Sequence, residues 1–230
     1  GGPATTAPSA PAHTAGPFDY AAFKARFGGS ADEVRARQSA YLGDLSGRRR
    51  VVDLGCGHGE LLAALREAGT RAYGVETDAD FVQRLRDEGL EVVEEDALAH
   101  LRSIEPGTVD GVVASHVVEH LPVAVAVELI ERACEVLPDG GVLVLDTPNP
   151  ESLLAGSVNF HRDPTHVSPV HPETLAFLCE MAGFERVEVR RLSPVPQERL
   201  LPGGGGNGPL TERLDRIVAQ LNDLLYGYQD

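Results

Sequence analysis

Three glycines at alternating positions, Gly55, Gly57 and Gly59, stand between a short apolar run, Val51–Leu54, and an amphipathic stretch that opens at Glu60. Glycine lets a backbone approach a ligand closely, and the N–H groups that open a helix point at it. The stretch therefore reads as a loop that holds a nucleotide-like cofactor. The dinucleotide fingerprint is Gly-x-Gly-x-x-Gly. Here the spacing is Gly-x-Gly-x-Gly, with Asp53 two residues ahead of the first glycine. A second concentration lies further on. Five of the eight histidines fall in two segments, His116-Val117-Val118-Glu119-His120 and His161-Arg162-Asp163-Pro164-Thr165-His166, with His171 close behind. Imidazole removes a proton from a hydroxyl near neutral pH. Together with a carboxylate it also binds divalent ions. Three readings stand side by side: a histidine base, a metal site of Glu119, His120 and His166, or a Glu119–His120 pair that only pins a loop. His-x-x-Glu-His also matches an inverted zinc-protease pattern, but that pattern needs a long helix, and here Pro122 follows directly. His58 and His100 read as solvated residues on helix surfaces.

The elements that must carry these residues alternate regularly. Val51–Leu54, Ala72–Val75, Leu90–Val93, Val109–Ala114 and Val142–Leu145 read as short strands. Glu60–Ala68, Asp78–Asp87, Ala97–Leu101 and a stretch from Pro122 to Leu137 read as the helices between them. Repeated strand–helix units of this length imply a parallel, doubly wound sheet, with ligands beyond the carboxyl ends of its strands. Ahead of them, residues 1–17 are Ala/Pro/Thr-rich and read as disordered. Residues 18–45 read as two helices, with Ser30 and Glu33 as a capping box. Residues 149–172 form a long polar loop. Glu173–Ala182 reads as a helix, Phe184–Leu192 as a strand, 201–209 as a flexible Gly-rich loop and 210–225 as a final amphipathic helix.

Composition sets limits on function. No apolar run approaches the roughly 18 residues that span a bilayer. The start of the sequence shows no charged segment followed by an apolar one, so no secretory signal is expected. Cys56, Cys134 and Cys179 are odd in number and widely spaced, which suits a reducing cytoplasm better than a disulfide framework. The formal charge is −15, which disfavours nucleic acid as a partner.

Asp53-Leu54-Gly55-Cys56-Gly57-His58-Gly59 resembles motif I of the class I S-adenosylmethionine-dependent methyltransferases. The resemblance implies an α/β, Rossmann-like, doubly wound, mostly parallel sheet of six to seven strands with helices on both faces. It also implies an N-terminal helical lid over 18–45 and a methyltransferase domain over 46–230. The cofactor would be S-adenosyl-L-methionine, held by Asp53, Gly55, Cys56, Gly57, Glu76, Thr77, Asp96, Ala97, Ser115 and His116. In that arrangement Glu76 takes the ribose hydroxyls, Asp96 takes the adenine amino group, and Ser115 and His116 sit under the sulfonium. His120, His166 and Glu119 would be catalytic, or would hold a divalent ion such as Mg2+. Phe27, His161, Arg162, Asp163 and His171 would contact the acceptor.

A narrower resemblance rests on Thr147-Pro148-Asn149-Pro150-Glu151-Ser152-Leu153, Phe160–Val167 and His171-Pro172-Glu173. It is to bacterial polysaccharide and O-antigen-type sugar O-methyltransferases. It implies a cytoplasmic enzyme that methylates a hydroxyl of a sugar, glycan or glycosylated small molecule; a homodimer is a further expectation. Relatives of that kind continue past a Tyr-Gly-x-Gln-Asp stretch into a last strand, so the sheet edge near Phe184–Leu192 is expected to be weak. Two alternatives remain: an O-methyltransferase domain of a natural-product megasynthase, and a non-catalytic cofactor-binding scaffold.

Overall fold

The computed structural model describes residues 20–29 and 31–230. The expected disordered segment 1–17 and the Ser30 half of the capping box lie outside those residues. In chain order the elements are α1 (Tyr20–Phe27), α2 (Ala31–Leu45), β1 (Val51–Leu54), α3 (Glu60–Glu67), β2 (Ala72–Glu76), α4 (Ala79–Asp87) and β3 (Val92–Glu94). There follow α5 (Ala97–Ser103), β4 (Gly111–Ser115), α6 (Val123–Val136), β5 (Val142–Asp146), α7 (Pro172–Ala182) and α8 (Pro209–Leu225).

The strands form one sheet, all parallel, in the order β3-β2-β1-β4-β5. β1 is central, with Val51 beside both Ala72 and Gly111. Chain order reverses between β1 and β4, and a crevice opens there at the carboxyl ends of the strands. Side chains alternate between the two faces. Val52, Leu54, Val75, Val112 and Ala114 pack with Leu98, Leu101, Leu129 and Ala133 from α5 and α6. Val51 and Val113 pack with Tyr41, Leu45, Leu61 and Leu65 from α2 and α3. The sheet is thus buried on both sides, as a parallel sheet must be.

Two expectations need correction. The sheet has five strands among the described residues, not six to seven. Phe184–Leu192 carries strand-like residues but forms no strand. A strand is defined by its partner. Here the backbone finds one only at the end, where Leu192 N donates to Asp230 O at 2.7 Å and Gln229 N donates to Leu192 O at 3.2 Å. A cleft of about 390 Å³ lies between this segment and β5, so β5 is an edge strand, as expected for a weak edge. His100 is also not solvated. It is buried, with Nε2 3.1 Å from the Tyr73 hydroxyl and Nδ1 2.8 Å from Glu95. No helix among the described residues is long and apolar enough to cross a membrane.

Candidate active site

The glycine loop sits at the reversal point. Gly55 has φ +68°, and a Cβ there would meet Val117 Cγ2 at 2.8 Å. Gly59 has φ +80° and caps the N-terminus of α3. Neither position accepts a side chain without strain, so the turn is a bare backbone cradle. Glu76, at the end of β2, faces that cradle. Its Oε2 accepts from Gly57 N at 3.0 Å, and its Oε1 accepts from Thr77 N at 2.8 Å and Asp78 N at 3.1 Å. Asp53 lies beneath the loop and is only 3% exposed. Burial first, and then the charges of Glu60 and Glu76, push its carboxyl up to about 8. With Asp53 holding its proton near neutral pH, the charges of Glu60 and Glu76 beside the glycine loop repel a pyrophosphate and attract a cation. That charge pattern suits a sulfonium–ammonium cofactor and not a dinucleotide.

The buried acid has a measurable consequence. Asp53 binds a proton near pH 3.8 when unfolded and near pH 8 when folded. Between those values the folded state holds the extra proton, so this group's contribution to stability falls as pH rises from about 4 to about 8. The cofactor-free protein is expected to melt roughly 3–8 °C lower near pH 8.5 than near pH 6. Asp53→Asn should flatten that difference. An unchanged pH slope in the variant would show that Asp53 is not the group responsible.

A cavity of about 890 Å³ opens from the cradle. Asp53, Gly55, Cys56 and Gly57 line it, together with Ser115, His116, His120, Asp163 and His166. From α1 and α2 it takes Phe23, Phe27, Glu33, Arg37 and Gln38. Glu76 and Thr77 stand at the end of β2 and Asp96 and Ala97 beyond the end of β3, all outside the lining of this cavity. Asp96 caps α5 through one oxygen, Oδ1, which accepts from Leu98 N at 3.0 Å and Ala99 N at 2.9 Å. Cys56 is buried, and burial pushes its thiol up, so it is a packing residue and not a nucleophile.

The histidine segments meet across this cavity. His116 takes a positive φ of 54°, and its N donates to Asp146 O at 2.7 Å. Its Nδ1 lies 2.9 Å from Glu119 Oε1. Glu119 is wholly buried, and its Oε2 accepts from the Thr147 hydroxyl at 3.1 Å. Burial opposes its ionisation, but the hydrogen bond and charge of His116 outweigh that and hold it below the usual carboxylate range. Through the same bond, and against its own burial, His116 is raised. Its ring is therefore committed to Glu119 on one edge, and its buried Nε2 lies 3.6 Å from Asp230 Oδ1 on the other.

His120 and His166 have fixed tautomers. The Thr165 hydroxyl donates to Asp163 Oδ1 at 2.6 Å, so at 2.9 Å it accepts from His120 Nδ1. His166 Nδ1 lies 2.8 Å from the Phe160 carbonyl, which can only accept. In both rings the lone pair is left on Nε2. The rings are 4.6 Å apart at 67°. Glu119, His120 and His166 each offer a ligand atom, all within 4.8 Å of one another. Burial pushes His120 below the ordinary histidine range; Glu119 opposes this and His166 adds to it. The backbone secures the meeting, since Val167 N donates to Glu119 O at 2.8 Å.

The other expected acceptor residues divide. Arg162 lies over the Phe27 ring at 5.8 Å, and both line the cavity with Asp163. His161 packs edge-on against Phe160 and is exposed. His171 caps α7, its Nδ1 accepting from Glu173 N at 3.3 Å, away from the cavity. The sequence reading missed a buried set. Arg37 Nε lies 3.3 Å from Asp146 and its NH1 3.7 Å from Asp230. The Ser115 hydroxyl donates to Asp146 Oδ2 at 3.0 Å. These bonds tie α2 to the ends of β4 and β5. An acid closing β5, as Glu76 closes β2, was the signal available in the sequence.

The comparisons agree with this geometry. A family model described as "Methyltransferase domain" matches residues 22–189. The chain is 31% identical over 173 residues to a ubiquinone biosynthesis O-methyltransferase of Bordetella pertussis, covering 67% of this chain and 70% of the relative. It is 31% identical over 106 residues to the protein of that name from Methylococcus capsulatus, spanning 44% of that relative's length. A solved SAM-dependent methyltransferase from Archaeoglobus fulgidus superposes with a TM-score of 0.86 at 34% identity, over 92% of this chain and 96% of the other. A Rossmann-like sheet whose cradle repels phosphate, matched along most of its length by this family, leaves one assignment: the chain belongs to the class I S-adenosylmethionine-dependent methyltransferases, and S-adenosylmethionine is its cofactor.

Proposed function

We propose that the protein transfers the methyl group of S-adenosylmethionine to a hydroxyl oxygen of a ring-shaped small molecule, with Glu119, His120 and His166 at the acceptor. One observation carries this reading. Both histidines bond the loop 160–165 through Nδ1, and one ligand atom from each of Glu119, His120 and His166 lies within 4.8 Å of the others, with both rings lining the cavity. Such a set takes a proton from a hydroxyl, or holds a divalent ion that lowers the hydroxyl's pKa. Two imidazoles and one carboxylate suit Zn2+, Mn2+ or Fe2+ better than the all-oxygen preference of Mg2+. The relatives' names support oxygen as the receiving atom. Most of the acceleration would come from holding the acceptor in line with the methyl carbon.

Asp53, Gly55, Gly57, Glu76 and Ser115 hold the cofactor in this reading, and Asp96 reaches it with its second oxygen. Helices α1 and α2 act as a lid, placing Phe27 and Arg162 against the acceptor ring. The loop 149–172, resembling that of polysaccharide methyltransferases, supports a sugar hydroxyl. A phenolic hydroxyl is the second reading, favoured by the names of the Bordetella and Methylococcus relatives.

The test is methyl transfer to sugar and phenol panels, with and without a strong chelator. Loss on chelation, restored by Mn2+ or Zn2+, is expected for a metal centre. Activity that survives chelation yet falls in His120→Ala assigns the base. Tight cofactor binding with no transfer to any hydroxyl would overturn the proposal.

A further inference from the structure

A second set of ligand atoms gathers at the carboxyl ends of β4 and β5. His116, Asp146 and Asp230 each offer one, and these atoms all lie within 4.8 Å of one another. The side chains of Asp146 and Asp230 are 4% and 8% exposed. Among the described residues, the side-chain bonds of Asp146 use Oδ2 alone. It accepts from Ser115 at 3.0 Å and from Tyr41 at 3.4 Å, and faces Arg37 Nε at 3.3 Å. Asp230 likewise turns Oδ2 to Arg37, at 3.7 Å from Nη1. Arg37 thus takes the Oδ2 atom of both acids and leaves both Oδ1 atoms, that of Asp230 facing His116 Nε2.

His116 has the surroundings of a ligand. Its φ of 54° is a left-handed conformation that a side-chain-bearing residue adopts only where the structure demands it. Its Nδ1 is held at 2.9 Å by Glu119, the carboxylate–histidine arrangement that orients a metal-bound imidazole. Its Nε2 is buried and has no hydrogen-bond partner. The 3.6 Å from that atom to Asp230 Oδ1 is too long for a hydrogen bond. It is close to the separation, about 3.4 Å, of two donor atoms bound at ~2.1 Å to one tetrahedral ion. Charge points the same way. Glu119, Asp146 and Asp230 bring three buried carboxylates against one guanidinium, that of Arg37. With a neutral imidazole two negative charges remain, and buried charge is costly unless it is paired.

We propose that His116 Nε2, Asp146 and Asp230 hold one divalent ion. One imidazole with two carboxylates suits Mn2+ or Zn2+. Glu119 orients His116 from behind and is not a ligand of this ion, so the site is separate from the Glu119, His120 and His166 cluster. The ion staples residues 228–230 to the ends of β4 and β5 and, through His116, keeps Glu119 in place.

The test is calorimetric titration of chelator-stripped His120→Ala/His166→Ala protein with MnCl2 and with ZnCl2. That background lacks the histidines of the other cluster and keeps all three ligands of this one. One ion per chain is expected, and a melting temperature raised by roughly 5–10 °C at a hundredfold excess over the dissociation constant. Adding Asp230→Asn should weaken binding more than about tenfold and remove the melting shift. His116→Asn should do the same, asparagine being a residue that tolerates the left-handed backbone. Circular dichroism of the stripped variants checks that each is folded. No ion bound in the starting background, an ion held as tightly after both substitutions, or an ion displaced by saturating S-adenosylmethionine would overturn the proposal. Methyl transfer is not the readout, so the outcome is independent of whether Glu119, His120 and His166 carry the reaction.

Discussion

His120→Ala is expected to lower methyl transfer by roughly 10²–10⁴-fold, while the cofactor dissociation constant changes by less than about threefold. The asymmetry follows from geometry. His120 lines the cavity but takes no part in the glycine cradle proposed to hold the cofactor. Its Nδ1 proton is held by Thr165, whose own proton goes to Asp163, so the basic Nε2 is fixed in direction. Burial holds its pKa below the usual histidine value, so it is neutral at pH 7. Activity limited by this group should fall only as pH drops below about 6.5, with the neutral form active above it. His166→Ala should behave similarly. Because the two rings and Glu119 form one cluster, the double variant should lose little more than the worse single one. Losses that multiply would mean the two histidines act separately.

Glu76→Ala should do the opposite. It is expected to weaken cofactor binding by about 2–3 kcal/mol, or roughly 30–150-fold, from the loss of charge-assisted hydrogen bonds. The carboxylate already accepts from three backbone N–H groups around the cradle. Its removal loosens Gly57 as well as removing the oxygens proposed to meet the ribose. Calorimetric titration with S-adenosylmethionine separates these effects from turnover. At saturating cofactor the variant should recover most of its rate. A large loss of rate with unchanged affinity would place Glu76 in the chemistry and not in binding.

The contrast between these two residues tracks what the sequence makes legible. The cradle is local: strand, glycine turn and helix lie within Val51 to Glu60, and each step has its own chemical signature. The five strands follow from apolar runs for the same reason. The pairing of His120 with His166 is not local: residue types allow a shared site, but nothing in either segment fixes the contact. Its physical cause, Val167 N bonding to Glu119 O, is visible only after folding. Arg37 carries no local signal of its role because its acids, Asp146 and Asp230, come from distant parts of the chain. His100 reads as solvated because nothing in α5 reveals that Tyr73 of β2 lies opposite. Phe184–Leu192 carries strand-like residues, but a strand needs a partner that no local pattern provides.

The most direct test of O-methyl transfer at this centre uses S-adenosylmethionine with an isotope-labelled methyl group. The labelled product of the best acceptor is examined by NMR, for the wild type and for the His120→Ala/His166→Ala double variant. The account predicts label on an oxygen-bound methyl carbon in the wild type and almost none from the double variant, with both proteins still binding cofactor. Label on nitrogen, or oxygen-bound label formed at an undiminished rate by the double variant, would contradict it.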